Sequence, residues 1–299
     1  MQTSRIIHIT DLHLSDLSEI KKIDLRGKRI LGYASWRFRR KNLYQSYQLE
    51  SLLDAVKKEK ADKILITGDL VHIGLENEYE EARNWLLKLG LADQVRIIPG
   101  NHDTYQEESW NLAREYFGNY LLCDLEQTSS QSQDYFPKTE THKDISLTAA
   151  STATVAPWWG AIGRLGKAQL ERIKQSLTLN QQMFRVFLLH HPPLPKMCSG
   201  RTALSDAKEL KKILKRTQPE MILHGHLHRN IVTKKKYGTI YCTASASSTS
   251  SDHPASYRIF DIKKSNEFWS VTMELKSLSK CNVETINKER IKTPITQFV

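Results

Sequence analysis

The sequence predicts an α/β protein with a largely parallel sheet. Five short runs of aliphatic and β-branched residues are typical of buried strands, and segments with helical spacing separate them. Strands that alternate with helices favour parallel pairing. The five runs, each taken with the polar residues that end it, occupy residues 5–11, 63–69, 94–102, 184–191 and 221–228.

The helices are predicted from apolar residues that recur three or four positions apart. This spacing occurs in residues 49–56, 79–89, 166–177 and 205–215. Ser205 and Asp206 are both candidates for the N-cap of the last helix. The pattern changes after Arg229, where apolar and polar residues alternate. Residues 238–245, 256–262 and 268–275 are therefore predicted to form consecutive antiparallel strands.

Length and composition exclude several classes of protein. The 299 residues are 39% hydrophobic, which is too apolar for a disordered chain and enough for a sizeable core. No run approaches the roughly 18 apolar residues that span a membrane, and no apolar signal core follows Met1. Cys123, Cys198, Cys242 and Cys281 lie far apart, so we expect neither a disulfide framework nor a thiolate zinc site. We therefore expect a cytoplasmic protein.

Polar residues that suit a metal centre follow the predicted strands. The carboxyl ends of parallel strands meet at one edge of a sheet, so these side chains are expected to converge. Imidazole and carboxylate ligands suit first-row divalent ions, and one shared carboxylate can hold two ions about 3.5–4 Å apart. The candidates are Asp11, His13, Asp69, Asn101, His102, His190, His226 and His228.

Five short blocks resemble, in order, those of the calcineurin-like metallophosphoesterase family. They are Asp-Leu-His at 11–13, Gly-Asp at 68–69, Gly-Asn-His-Asp at 100–103, His-His-Pro-Pro at 190–193 and Gly-His-Leu-His at 225–228. One such block occurs easily by chance, whereas five in order are specific. The resemblance implies a single domain over residues 1–299, built as a two-sheet β-sandwich flanked by helices in four layers.

The resemblance also implies a dinuclear centre that holds manganese, iron or zinc. One ion would be bound by Asp11, His13 and His228, and the other by Asn101, His190 and His226. Asp69 would bridge the two ions. In the His-His block either His190 or His191 could be the ligand, and His190 is chosen by analogy.

Two further residues are assigned catalytic roles by the same resemblance. A hydroxide that bridges the ions would attack phosphorus, and His102 would protonate the leaving oxygen as a general acid. Asp103 either orients His102 or caps a helix, and both roles stay open.

Departures from the family's patterns narrow the activity. Protein phosphatases of this superfamily carry Asp-Arg shortly after Gly-Asp, but Leu-Val-His-Ile-Gly stands at 70–74. The blocks, together with residues 163–170, look more like bacterial class III cyclic-nucleotide phosphodiesterases. That group often has Leu-Asp-Ser where this chain has Ala-Ala-Ser at 149–151, which makes cyclic AMP a doubtful substrate. We expect a phosphodiesterase acting on a small nucleotide or nucleotide-linked diester. The alternatives are a phosphomonoesterase and a non-catalytic metal-binding interaction module.

Two segments are predicted to be insertions. Residues 104–147 form a cap-like insertion, and residues 20–47 form a basic aromatic insertion similar to one in a subset of bacterial metallophosphoesterases. Much of the net charge of +11 lies in the second segment, where Arg37, Arg39, Arg40 and Trp36 are candidates for contacting a substrate or a surface.

Three interpretations of the basic segment stay open. It could bind an anionic membrane, which would make the protein peripheral to the inner membrane surface. It could bind nucleic acid, although the chain lacks the nuclease and capping motifs of the family's DNA-repair members. It could also be a solvated helical face that packs its aromatic residues on the core.

Overall fold

Two sheets share one hydrophobic core in the computed structural model, which describes residues 3–14, 16–279 and 282–295. The strands are β1 (Thr3–Ile9), β2 (Lys63–Ile66), β3 (Val95–Ile97), β4 (Lys138–His142), β5 (Ile145–Ala149), β6 (Phe184–Leu188), β7 (Met221–His224), β8 (Ile231–Lys235), β9 (Gly238–Cys242), β10 (Ser256–Lys264), β11 (Phe268–Ser279) and β12 (Asn282–Pro294).

The helices lie between these strands. They are α1 (Lys28–Ser35), α2 (Ser46–Lys58), α3 (Glu76–Leu89), α4 (Ser109–Phe117), α5 (Lys167–Leu179) and α6 (Ala207–Thr217). A π-helical turn, Trp36–Arg40, continues α1 directly. No helix in the described ranges is both long and apolar enough to cross a membrane.

Each sheet contains six of the described strands. The first has the order β12-β11-β10-β1-β2-β3, in which β1, β2 and β3 pair in parallel. The second has the order β4-β5-β6-β7-β9-β8, in which β5, β6, β7 and β9 pair in parallel. The carboxyl ends of both parallel sets carry the candidate metal ligands. The predicted α/β class with two sheets and flanking helices is confirmed.

Alternating side chains of the second sheet explain the layering. Val186 and Leu188 of β6 belong to the core shared by both sheets. Phe187, between them, belongs to a second cluster with residues of α5 and α6. Because successive side chains of a strand point to opposite faces, this sheet is covered by the first sheet on one side and by helices on the other.

One strand prediction was wrong. Residues 238–245 were expected to pair antiparallel with the strands that follow, but β9 pairs in parallel with β7 and antiparallel with β8. It therefore belongs to the other sheet from β10 and β11, which do form the expected antiparallel pair. The buried side chains at the end of β9, such as Tyr241, contribute to the shared core.

Part of the predicted cap-like insertion belongs to the core and to the second sheet. Residues 104–147 contain α4, whose Trp110 and Phe117 join the shared core, and also β4 and most of β5, which belong to the second sheet. Whether the rest of this segment covers the site stays a prediction.

Cys123, Cys198 and Cys242 are free thiols, and Cys281 lies outside the described residues.

A buried ion pair joins β6 to the segment that precedes β7. The Arg185 guanidinium donates to both carboxylate oxygens of Glu220, at 2.9 and 3.0 Å, and both side chains are almost fully buried. Arg185 also donates to the backbone oxygens of Leu177 and Gln218, at the ends of α5 and α6. This cluster fixes two strands and two helices relative to one another.

We predict that Glu220→Gln lowers the free energy of unfolding by about 3–5 kcal/mol, because it leaves a buried guanidinium without its counter-charge. Urea unfolding followed by circular dichroism measures the change. The matched control is Glu171→Gln, which breaks the exposed pair with Lys174 and should cost less than about 1 kcal/mol. Equal losses in the two variants would contradict the assignment.

Candidate metal centre

Seven candidate ligands converge where the parallel strands end. One ligand atom from each of Asp11, His13, Asp69 and His228 lies within 4.8 Å of the other three. The same holds for Asp69, His190 and His226. Asp69 is thus common to both groups. The seventh residue, Asn101, lies with its Oδ1 3.2 Å from His190 Nε2.

The backbone at these positions adopts a conformation that favours glycine. Five of the seven residues have a positive φ, namely Asp11 (53°), His13 (44°), Asp69 (57°), His226 (69°) and His228 (53°). For a residue with a Cβ this region costs roughly 1–2 kcal/mol. Hydrogen bonds hold the strained turns: Asp11 N donates to Gly68 O at 2.9 Å, and His13 N donates to Asp69 O at 3.0 Å.

Two glycines allow the loops after β2 and β3 to cross closely. A Cβ built on Gly68 would lie 2.6 Å from Gly100 Cα, and a Cβ built on Gly100 would collide with the Asp69 carboxylate. A side chain at position 68 would therefore displace the loop after β3, and a side chain at position 100 would displace Asp69.

Asp103 ties the same two loops together. Its buried carboxylate accepts hydrogen bonds from the backbone N–H groups of Asp69, Leu70 and Gly100, each at 2.8 Å, and from a fourth donor, Val71, at 3.3 Å. Burial and the neighbouring Asp69 carboxylate raise the pKa of Asp103 to about 7, against the effect of the backbone donors. Among the described residues, no hydrogen bond joins the Asp103 and His102 side chains. Through these contacts Asp103 positions the loop that carries Asp69. The catalytic role of Asp103 stays a prediction.

The ring nitrogens in the cluster fit a bound cation. His13 Nδ1, His190 Nδ1 and His226 Nε2 each face a backbone carbonyl, of Val71, Thr67 and Thr202 respectively, at 2.7–3.2 Å. A carbonyl oxygen only accepts, so these nitrogens carry the protons. The opposite nitrogens therefore present lone pairs to the cluster.

Those lone pairs face other acceptors at short distances. His190 Nε2 lies 3.2 Å from His226 Nδ1. Asp69 Oδ2 lies 3.3 Å from His190 Nε2. Acceptors this close repel one another unless a proton or a cation lies between them, and this donor set suits first-row divalent metals.

The Asp69 carboxylate acts directly on His190. Burial lowers the pKa of this imidazole, but the charge and hydrogen bond of Asp69 outweigh burial and raise the pKa to about 9. His191, in contrast, uses both nitrogens in other contacts, with Thr152 Oγ1 at 2.8 Å and Ala161 O at 3.1 Å. The structure brings His190, rather than His191, into the cluster.

His102 lies beside the cluster with both ring nitrogens engaged. Nδ1 donates to the backbone oxygen of His72, and Nε2 accepts from Arg40 Nη1 at 3.1 Å. The ring stacks on Tyr105, with 5.9 Å between centroids. Burial and the Arg40 charge outweigh the attraction of Asp69 and lower the pKa of His102 to about 4.

Sequence reasoning missed two residues that complete this wall. The Tyr44 hydroxyl lies 2.6 Å from His228 Nδ1, and its ring centroid is 4.9 Å from that of His13. His72 stacks on His13, with centroids also 4.9 Å apart. Both residues lie close in sequence to predicted features, Tyr44 in the basic segment and His72 after Gly68-Asp69. Nothing in the sequence distinguishes them from their neighbours.

The predicted substrate or surface residues divide into three groups. Arg40 points to the site, whereas Arg37 and Arg39 are exposed. Trp36 is buried among Leu17, Ile73, Leu75 and Tyr105, so the structure does not leave its indole available to a substrate or a surface. The reason is helical spacing: Trp36 falls on the same face as Gly32, which packs directly against Tyr105.

Two stacked sheets with polar residues gathered at the strand ends are the arrangement of a phosphoesterase. Residues 4–230 match the model of the calcineurin-like phosphoesterases, and the chain belongs to this family. The resemblance seen in the five blocks is confirmed.

Relatives of this chain are named as phosphodiesterases. A probable cyclic nucleotide phosphodiesterase of Vesicomyosocius okutanii is 25% identical over 60% of this chain and 68% of its own length. The 3′,5′-cyclic adenosine monophosphate phosphodiesterase CpdA of Escherichia coli K12 is 23% identical over 76% of this chain and 70% of its own length. Among solved structures, yellow lupin purple acid phosphatase PPD1 superposes with a TM-score of 0.57 at 11% identity, covering 97% of this chain and 54% of that one. The last likeness concerns the fold alone.

We predict that Tyr44→Phe weakens the binding of Mn²⁺ about 10- to 100-fold. The phenol oxygen orients the His228 imidazole, and partners of metal ligands typically contribute this much to affinity. Titration of metal-free protein by isothermal calorimetry measures the effect. The control is Tyr47→Phe, an exposed tyrosine on the outside of α2, which should leave affinity unchanged. Unchanged affinity in Tyr44→Phe would show that the contact does not orient a ligand.

Proposed function

We propose that this protein is a phosphodiesterase with two divalent metal ions that hydrolyses a small nucleotide or nucleotide-linked phosphodiester. The observation that carries the proposal is the double cluster of ligand atoms with Asp69 common to both halves. One half, Asp11, His13 and His228, would hold one ion, and the other half, Asn101, His190 and His226, would hold the second. Manganese, iron and zinc all suit this set of ligands.

The ions and the chain's own residues would divide the chemistry. When bound, two divalent ions supply positive charge to the phosphoryl oxygens and lower the pKa of the water that attacks phosphorus. Arg40 adds a guanidinium at the edge of the cluster, beside His102. Guanidinium groups bind phosphate oxygens through charge-assisted hydrogen bonds. Arg40 is therefore positioned to bind the oxygen atoms that become more negative in the transition state.

His102 is proposed as the general acid. With Nδ1 donating to the His72 carbonyl, the proton for the leaving oxygen has to come from Nε2, which in this structure accepts from Arg40. A bound phosphate would accept from Arg40 in place of His102, and its negative charge would raise the pKa of the imidazole. Protonation of Nε2 thus accompanies substrate binding in this proposal.

The names of the relatives support diester rather than monoester hydrolysis. Residues 149–151, which differ from the related group's Leu-Asp-Ser, lie at the end of β5, and Ala150 N donates to Leu188 O at 2.9 Å, beside the end of β6 that leads to His190. Ala150 is buried against helix α5 residues, and the Ser151 hydroxyl contacts that of Ser132 at 2.8 Å. Ala150 stands where the related group has aspartate, so that carboxylate has no counterpart here, which supports a diester other than cyclic AMP. A phosphomonoesterase is the second candidate.

Leaving groups of different basicity test this mechanism. We predict that His102→Asn lowers turnover of a dinucleotide by about 10²–10⁴-fold, because its leaving group is a ribose alkoxide that needs a proton. The same variant should lower turnover of bis(p-nitrophenyl) phosphate much less, because p-nitrophenolate departs without a proton. Both rates are measured on one preparation of manganese-loaded protein.

Arg40→Met is the matched comparison. This variant removes the guanidinium that would bind the phosphate and keeps the residue that would protonate the leaving oxygen. It should therefore lower both rates by a similar factor. An equal loss with both leaving groups in His102→Asn would exclude the general acid role. Failure of the wild-type protein to hydrolyse any diester, while it hydrolyses monoesters, would favour the second candidate.

A further inference from the structure

The outer face of α1 and its π-helical continuation is apolar, although it faces solvent. Ile30 is 53% exposed, Leu31 49% and Phe38 85%. Leu31 and Phe38 are two helical turns apart, so these side chains form one stripe. A surface helix normally turns its apolar stripe to the core. Here the core-facing side is already occupied by Gly32 and Trp36, which pack against Tyr105. The helix therefore presents a second apolar stripe outward.

Positive charge surrounds this stripe. Residues 21–41 contain nine Lys and Arg residues and one carboxylate, Asp24. Of these cations, Lys28, Arg29 and Arg40 turn inward to protein contacts. Arg26, Arg37 and Arg39 are exposed beside the stripe. An apolar stripe flanked by cations is the pattern of a helix that lies in the plane of an anionic membrane interface.

A second exposed apolar segment borders the same side of the molecule. In the loop 152–163, Trp158 is 69% exposed and Trp159 48%. Lys28 Nζ donates to Ala156 O at 3.0 Å, which ties this loop to α1. His191 Nε2 lies 3.1 Å from Ala161 O, which ties the other end of the loop to the residue next to the candidate ligand His190. Tryptophan is enriched at membrane interfaces because its ring is apolar and its N–H is polar.

We propose that α1, its π-helical turn and the loop 152–163 form a surface that docks on an anionic lipid bilayer, next to the phosphoesterase site. The apolar stripe would enter the boundary between headgroups and acyl chains, and the exposed arginines would bind lipid phosphates. Docking itself does not require that the site be active.

The other occupants fit this surface less well. Single-stranded nucleic acid binds through aromatic rings that stack on bases, whereas Ile30 and Leu31 are aliphatic. A second copy of the chain would bring two strongly basic surfaces into contact, which like charge disfavours. An anionic bilayer complements both the charge and the apolar side chains.

Co-sedimentation with vesicles tests the proposal. The wild-type protein should bind vesicles of phosphatidylglycerol and phosphatidylcholine at least tenfold more tightly than vesicles of phosphatidylcholine alone. The triple variant Ile30→Ser, Leu31→Ser, Phe38→Ser should lose at least tenfold in affinity for the anionic vesicles. The control variant Leu87→Ser, Leu91→Ser, Leu179→Ser removes equally exposed apolar side chains from other surfaces and should bind as the wild type does.

Tryptophan fluorescence gives an independent readout. Trp36, Trp85, Trp110 and Trp269 are buried, so bromine on the acyl chains of the lipid should quench only Trp158 and Trp159. Loss of this quenching in Trp158→Phe, Trp159→Phe would locate the contact.

Several outcomes would overturn the proposal. They are no preference for anionic vesicles, equal losses in both triple variants, no quenching by brominated lipid, or tighter binding to a single-stranded oligonucleotide than to vesicles. Turnover of bis(p-nitrophenyl) phosphate in free solution, measured on the same proteins, keeps the two proposals separate. Vesicle binding without turnover would contradict the proposed function and leave docking intact, and turnover without vesicle binding would do the reverse.

Discussion

The structure depends on one electrostatic constraint: unprotonated nitrogens and carboxylate oxygens face one another at the strand ends. Backbone carbonyls take the outer proton of three imidazoles, so the inner nitrogens of His190 and His226 face each other at 3.2 Å, and Asp69 Oδ2 lies 3.3 Å from His190 Nε2. Lone pairs this close together suit a shared cation. The positive φ angles at five of the candidate ligands also indicate a constrained site, because such strain persists only where the surrounding structure enforces it. Asp103 and the close crossing at Gly68 and Gly100 provide that enforcement around Asp69.

The basic segment has two faces with different roles. Its inner face adds Arg40 and Tyr44 to the wall of the site, where each contacts one histidine. Its outer face is apolar and cationic and touches nothing among the described residues that would explain its composition. The cations behind the net charge of +11 therefore lie in at least two different surroundings. One arginine is available for a phosphate in the site, and others are available for a surface beside it.

The sequence predicted those parts of the fold that local patterns determine. The aliphatic runs of β1, β2 and β6 are buried on both faces, so composition alone marks them. Strand β12 is rich in charged residues and mostly exposed, so its composition resembles that of a loop. The parallel pairing of β9 depends on which sheet has a free edge, which is a property of the assembled fold. In the site, the seven candidate ligands that converge were identifiable from their blocks. Tyr44, His72 and the direction of Arg40 were not, because each meets its partner only after the loops fold.

The proposed mechanism requires two ions that share Asp69, and anomalous diffraction from crystals of the manganese-loaded protein tests this requirement directly. We predict two peaks about 3.5–4 Å apart, with the Asp69 carboxylate between them, Asp11, His13 and His228 on one side, and Asn101, His190 and His226 on the other. A single peak, or two peaks that do not share Asp69, would exclude a dinuclear centre bridged by Asp69.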